Sequence, residues 1–262
     1  MEQLRKASQK QLTHIRSLAK RRNRRDHGHF IAEGSRTVQQ IIAQKRVNVL
    51  EIFITEEYLH EFGKPLFSEK LYLMQAKDLN SIADTETQQG ILAVCEIPES
   101  TEITYWDKPE GFLIALDQLQ DPGNLGTLIR TASWFGFKGI LCSVGTVDQW
   151  NSKVVRSTVG ATGYLPYAEG DLDELLHRMQ EMGWHIMLLD AHEHSISLHE
   201  WDPEPGTILV VGNEANGISA QLLEQYPRLR IDGAEKQAAA ESLNASVAGA
   251  IVMHYAFSKV KR

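Results

Sequence analysis

Apolar positions recur along the chain in two alternating series, each mixing helical and strand spacing. In the first, Leu12, Ile15, Leu18 and Ala19 stand at helical intervals. Lys20, Arg21, Arg22, Arg24 and Arg25 follow at the end of the same segment, which predicts a helix that carries its positive charge outward. HFIAEG then reads as a short strand, Ser35 as the cap of the helix TVQQIIAQ, and VNVLEIFIT as a β-branched strand. LYLMQ and GILAVCE predict two more strands, with DLNSIAD a short helix between them. A small α/β domain is the expected result.

The stretch IPESTEITYWDKPEG has two prolines, several polar residues and no sustained period, and so reads as a linker. A second series follows. FLIALDQL, GILCSV, WHIMLLDA, TILVVG and LRID are expected strands, with helices starting near Leu125, Ser152, Asp171, Ser219 and Ser242. Strands alternating with helices imply a mainly parallel sheet covered on both faces, which binds ligands at the carboxyl ends of its strands. The expected organisation is therefore a domain over 1–97, a linker over 98–110 and a second α/β domain over 111–262.

Charge changes this picture more than composition does. The net charge is −7, yet residues 1–46 hold 12 Lys/Arg against three Asp/Glu, a net of +9, leaving −16 for the remainder. Segregation of this kind marks a local surface for a polyanion, and Arg21, Arg22, Arg24 and Arg25 are its candidate phosphate contacts. No apolar run approaches the roughly 18 residues that span a bilayer, and the basic N-terminus lacks the apolar core of a secretory signal. Cys95 and Cys142, the only cysteines, sit in apolar strand-like surroundings without metal-ligand spacing, and read as buried free thiols of a reducing cytosol.

Three loops hold the candidate chemistry. QDPGNLGTLIRTA leaves the first strand of the second series through a turn at Pro122 and Gly123, and offers Asn124 and Arg130. LVVGNEANGIS places Asn213, Glu214 and Asn216 between Gly212 and Gly217, without the spacing of a dinucleotide fingerprint. AESLNASVAGAIVMHYAF has Ser242 or Asn244 as a helix cap, followed by small side chains that permit close packing.

Taken in order, NLGTLIRTA, GNEANGI and ESLNASVA resemble the three motifs of the SpoU (TrmH-like) family of RNA ribose 2′-O-methyltransferases. FIAEGSRTVQQII and TETQQGILAV resemble the start and end of the ribosomal-protein-like RNA-binding domain often fused to that catalytic domain. The resemblance implies a C-terminal α/β domain tied in a deep trefoil knot, with S-adenosylmethionine as cofactor and no metal. It also implies a homodimer in the cytoplasm acting on RNA, with ribosomal RNA favoured over transfer RNA. Carried over by motif position, backbone at Gly212, Ile231 and Leu243 would hold the adenosine portion. Asn124, Arg130, Glu214, Ser242 and Asn244 would form the polar active site, with Glu214 orienting Arg130. One departure stands out: where the family commonly has an Ile-Pro-Met turn, this chain has Ile231-Asp232-Gly233 followed by the polar AEKQAAAE. That departure leaves open a second reading, an RNA-binding or ribosome-assembly factor that keeps the fold without catalysis. A doubly wound nucleotide or flavin enzyme is disfavoured by the lack of a P-loop or dinucleotide motif.

Overall fold

A computed structural model of the chain describes residues 4–63, 70–82, 89–233 and 242–260. The chain divides into two compact units, one of residues 1–99 with 148–164, the other of 100–147 with 165–262.

In the first unit the elements run β1 (Arg5–Lys6), α1 (Gln9–Ser17), α2 (Arg21–His27), β2 (His29–Glu33), α3 (Ser35–Gln44) and β3 (Val49–Ile54). They continue with α4 (Glu56–Phe62), β4 (Leu71–Leu73), α5 (Ala76–Asn80) and β5 (Ile91–Glu96). The sheet order is β1-β4-β3-β5-β2, with β5 antiparallel to both its neighbours and the remaining pairs parallel. Leu12, Ile15 and Leu18 pack with Phe53, Leu92 and Val94 on the sheet and with Met74 and Leu79 beside it.

The N-terminal segment forms two helices rather than the single one its spacing predicts. Ser8 caps α1 in a reciprocal box with Gln11, whereas the arginines make the separate helix α2, ended by Gly28 in the left-handed region at φ 67°. Ser35 lies inside α3, with Gly34 at the cap position.

In the second unit the order in sequence is β6 (Phe112–Leu116), α6 (Pro122–Trp134) and β7 (Gly139–Ser143). Then the chain departs for α7 (Ser152–Thr158), which belongs to the first unit. It returns with β8 (Tyr167–Gly170), α8 (Leu172–Glu181), β9 (His185–Leu189), β10 (Ile196–Ser197), β11 (Thr207–Val211), α9 (Ala220–Gln225), β12 (Arg228–Arg230) and α10 (Ala245–Val260). The sheet order is β10-β12-β9-β11-β6-β7-β8, and every pair is parallel. All five residues of β6 and of β11 are buried, as continuous apolar runs covered on both faces require. From β6 the chain steps to β7 and β8 on one side, then crosses to fill β9, β11 and β12 on the other. The strand order therefore reverses between β6 and β11, the place where open parallel sheets bind ligands.

The stretch expected to link the halves is packed structure. Ile103 and Trp106 are buried in the second unit's core, and Trp106 donates its indole N–H to the Lys138 carbonyl at 3.2 Å while its own carbonyl accepts from Trp184 at 2.8 Å. Gly139 leaves room for that indole, since a Cβ there would lie 2.3 Å from the Trp106 ring.

The excursion over 148–164 adds a helix and an aromatic contact to the first unit. Val154 and Val155 are buried, Trp150 lies 4.9 Å from the Phe30 ring, and Arg156 reaches Glu33 at 3.4 Å. Asp148, in the same excursion, accepts from Arg24 Nε at 2.9 Å. Arg24 is only 4% exposed and also donates to the carbonyls of Leu18 and Ala19. The expectation that Arg24 contacts RNA phosphate is thus overturned: its guanidinium ties the ends of α1 and α2 to Asp148. Arg21, Arg22 and Arg25 are exposed, and Arg22 pairs with Asp26 at 3.5 Å across one helical turn.

Candidate active site

Two loops leave the carboxyl ends of β6 and β11 at the point of reversal. Asp121 caps α6 by accepting from the Asn124 amide at 2.7 Å, with Pro122 opening the first turn. The helix therefore starts three residues earlier than the sequence suggests, and Asn124 is a buried helical residue instead of part of the loop. Its Nδ2 donates to Glu214 at 2.9 Å. The Glu214 carboxylate also accepts from the backbone amides of Asp121 at 3.0 Å and Gln120 at 3.1 Å. Burial pushes the Glu214 carboxyl up, but the hydrogen bonds from Asn124 and the nearby backbone amides outweigh it and hold the group below its ordinary range.

Asn213 closes the other loop on itself. Its backbone pairs with Gly217 in both directions, and its side-chain oxygen accepts from the amides of Ala215 and Asn216. Its Nδ2 donates to the Gln118 carbonyl at 2.7 Å, which ties this loop to the end of β6. Asp117, 4% exposed, accepts from the Ser219 amide at 2.7 Å and so fixes the exit of the same loop at the cap of α9. Gly212 cannot carry a side chain, because a Cβ there would lie 2.4 Å from the Gly217 backbone. Asp117 was not singled out from sequence. Its signal, an acidic residue ending an all-apolar strand, is visible in FLIALDQL.

Of the expected polar residues, Asn124 and Glu214 are brought together. Arg130 is not part of their junction: it is exposed on α6, with no hydrogen-bond or ion-pair partner among the described residues. The expectation that Glu214 orients Arg130 is corrected, since the carboxylate is committed to Asn124 and two backbone amides. Ser242 is exposed ahead of α10, and Asn244 caps that helix by accepting from Ser246 at 2.9 Å and Val247 at 3.3 Å.

Gly212 follows β11, Ile231 follows β12, and Leu243 precedes α10. Their backbone groups make no hydrogen bond to another described residue, which leaves polar main chain for a ligand such as adenosine. The turn after Ile231 is held by side chains in place of a proline ring. Asp232 accepts from Arg230 Nε at 2.8 Å and from the Ser197 hydroxyl, and these two donors hold its carboxyl below the usual carboxylate range. The polar segment AEKQAAAE after Gly233 lies outside the described residues. Among the described residues no group of three His, Cys, Asp or Glu is arranged to hold a metal ion. Cys95 is buried and its thiol is pushed up to about 12 by that burial. Cys142 is also buried, and neither is in a disulfide.

Comparison with known proteins gives this geometry a family. Residues 111–254 match the SpoU rRNA Methylase family, and residues 9–93 match an MRM3-like substrate binding domain. A Bacillus subtilis protein named 23S rRNA (guanosine(2553)-2′-O)-methyltransferase RlmP is 28% identical over 256 residues, covering 97% of this chain and 99% of that one. Among solved structures, a Porphyromonas gingivalis protein of the TrmH family superposes with a TM-score of 0.81 at 28% identity, covering 95% of this chain and 98% of that one. An AdoMet-bound rRNA methyltransferase from Sinorhizobium meliloti, 22% identical, shares the fold with a TM-score of 0.81 over 97% of this chain and 96% of its own. The motif loops at the β6/β11 reversal, the parallel sheet that presents them and the match over more than half its length place the chain in the SpoU rRNA methylase family.

Proposed function

We propose that this protein transfers a methyl group from S-adenosylmethionine to a ribose 2′-hydroxyl of ribosomal RNA, with the first unit holding the RNA and the second performing the chemistry. The observation that carries the proposal is the junction of Asn124 and Glu214 at the sheet's reversal point, built from two motifs of a family whose members are named for this reaction. When bound, S-adenosylmethionine supplies an electrophilic methyl on its sulfonium sulfur. Backbone at Gly212, Ile231 and Leu243 would hold its adenosine portion.

The chain's own part is to position the hydroxyl and steady its developing charge. Arg130 has no partner among the described residues, so its charge is available to the 2′-oxygen or to the adjacent phosphate. A guanidinium stays charged at neutral pH and is a poor base, which leaves electrostatic stabilisation as its role. Asn244 spends its side-chain oxygen on capping α10, so only its Nδ2 can contact the substrate or cofactor, beside the Ser242 hydroxyl.

The same proposal takes in a trefoil knot in the catalytic domain, a cytoplasmic location and a homodimer. The dimer is supported by α10 and the two residues before it, which leave Leu243, Val247 and Ile251 exposed at four-residue intervals. The test has two arms. Ribose methylation mapped in ribosomal RNA from cells with and without the protein should differ at a defined nucleotide. In single turnover on that RNA, Arg130→Ala should lose most of the rate while calorimetric S-adenosylmethionine affinity changes little, and lysine should rescue poorly. Equal methylation maps, or loss of cofactor affinity in proportion to rate, would overturn the assignment.

A further inference from the structure

Gln118 stands in the left-handed region at φ 52°, where glycine is the cheapest residue. It lies just past the end of β6, between Asp117 and the loop that Glu214 grips. Its backbone is held from both sides: its N–H donates to the Ser143 hydroxyl at 2.7 Å, and its carbonyl accepts from Asn213. Ser143 in turn lies 3.1 Å from the Thr146 hydroxyl, which donates to the Leu116 carbonyl. Side chains from β7 and from the β11 loop thus fix one residue in an unfavourable conformation.

The side chain gains nothing from the protein for this. It is exposed, and its amide makes no hydrogen bond to a described residue. It lies over Gly145, where an added Cβ would be 3.5 Å from Gln118 Cγ. Next to Gly145, Val144 is 69% exposed at the end of β7. An exposed amide with no partner among the described residues, able to donate and accept, and an uncovered apolar side chain therefore stand side by side at the carboxyl ends of neighbouring strands. That pairing suits an unstacked nucleobase, whose face packs on apolar side chains and whose edge hydrogen-bonds with a group such as an amide.

We propose that Gln118, held by Ser143 and Asn213, reads the base of the nucleotide being methylated, with Val144 beneath it. This rests on the RNA methyltransferase reading above and deepens it from reaction to specificity. The test uses full-length protein and ribosomal RNA purified from cells lacking it. Gln118→Gly relieves the backbone, so it should fold at least as stably as wild type and bind S-adenosylmethionine equally well. Its single-turnover rate at the target nucleotide should fall at least tenfold. In short RNAs carrying each of the four bases at the target, its preference among them should shrink by a similar factor. Gln118→Glu, which keeps the length but loses the donor, should change which base is preferred. Wild-type activity with unchanged rate and base preference in Gln118→Gly would overturn the proposal alone. Absence of methylation by wild type would overturn the reading beneath it as well.

Discussion

At the level of single residues, the same residue type serves opposite ends according to burial. Arg24 sits among Arg21, Arg22 and Arg25 in one basic run, and nothing in that run distinguishes it. Only the fold shows that its guanidinium is enclosed and held by Asp148 and two carbonyls. Removing one partner of a buried pair leaves the other charge unpaired, at a cost of about 3–5 kcal/mol. Arg24→Ala should therefore lower stability by that order in chemical denaturation, with Asp148 stranded. Replacing Arg21, Arg22 and Arg25 together should leave stability almost unchanged and flatten the salt dependence of RNA binding. Equal stability losses for the two variants would refute the distinction. Gly212 carries a similar lesson. Its place in the motif was legible, but the reason that only glycine fits is the backbone of its own loop folding back to Gly217.

For whole elements, spacing was informative where apolar runs were long. The strands β6, β7, β9 and β11 could be read from their apolar runs, because a sheet covered on both faces leaves little room for polar positions. The two-residue strands β1 and β10 and the short β8 lack enough residues to establish a period, and they went unread. The small-sided stretch of α10 was legible as close packing, and Gly249 supplies it: a Cβ there would lie 2.4 Å from Leu128 of α6. The opposite property of that helix is the exposure of Val247 and Ile251. If two copies meet there, Val247→Glu should convert a dimer to a monomer in light scattering while the thermal unfolding of the monomer stays near the wild-type value. A wild-type protein that is monomeric at micromolar concentration would remove the basis for the prediction.

On the scale of the whole molecule, the order of the three motifs was legible in the sequence as a resemblance to the family, and the charge asymmetry as a surface for a polyanion. The partition of the chain was not legible in the same way, because sequence neighbours are read together. Residues 148–164 lie inside the stretch that matches the methylase family, yet they pack within the first unit, where Trp150 meets Phe30 and Asp148 meets Arg24. This excursion has a consequence for biosynthesis. Arg24 and Asp148 are 124 residues apart, and at roughly 5–20 residues per second a ribosome needs about 6–25 s to make that interval. During that time the growing chain holds a first unit without its last helix and with Phe30 uncovered. Nascent chains stalled with residue 99 outside the ribosome should therefore be cut readily by protease within the first unit. Those stalled with residue 164 outside should resist, and equal resistance at both lengths would show that the early half closes without waiting for the late one.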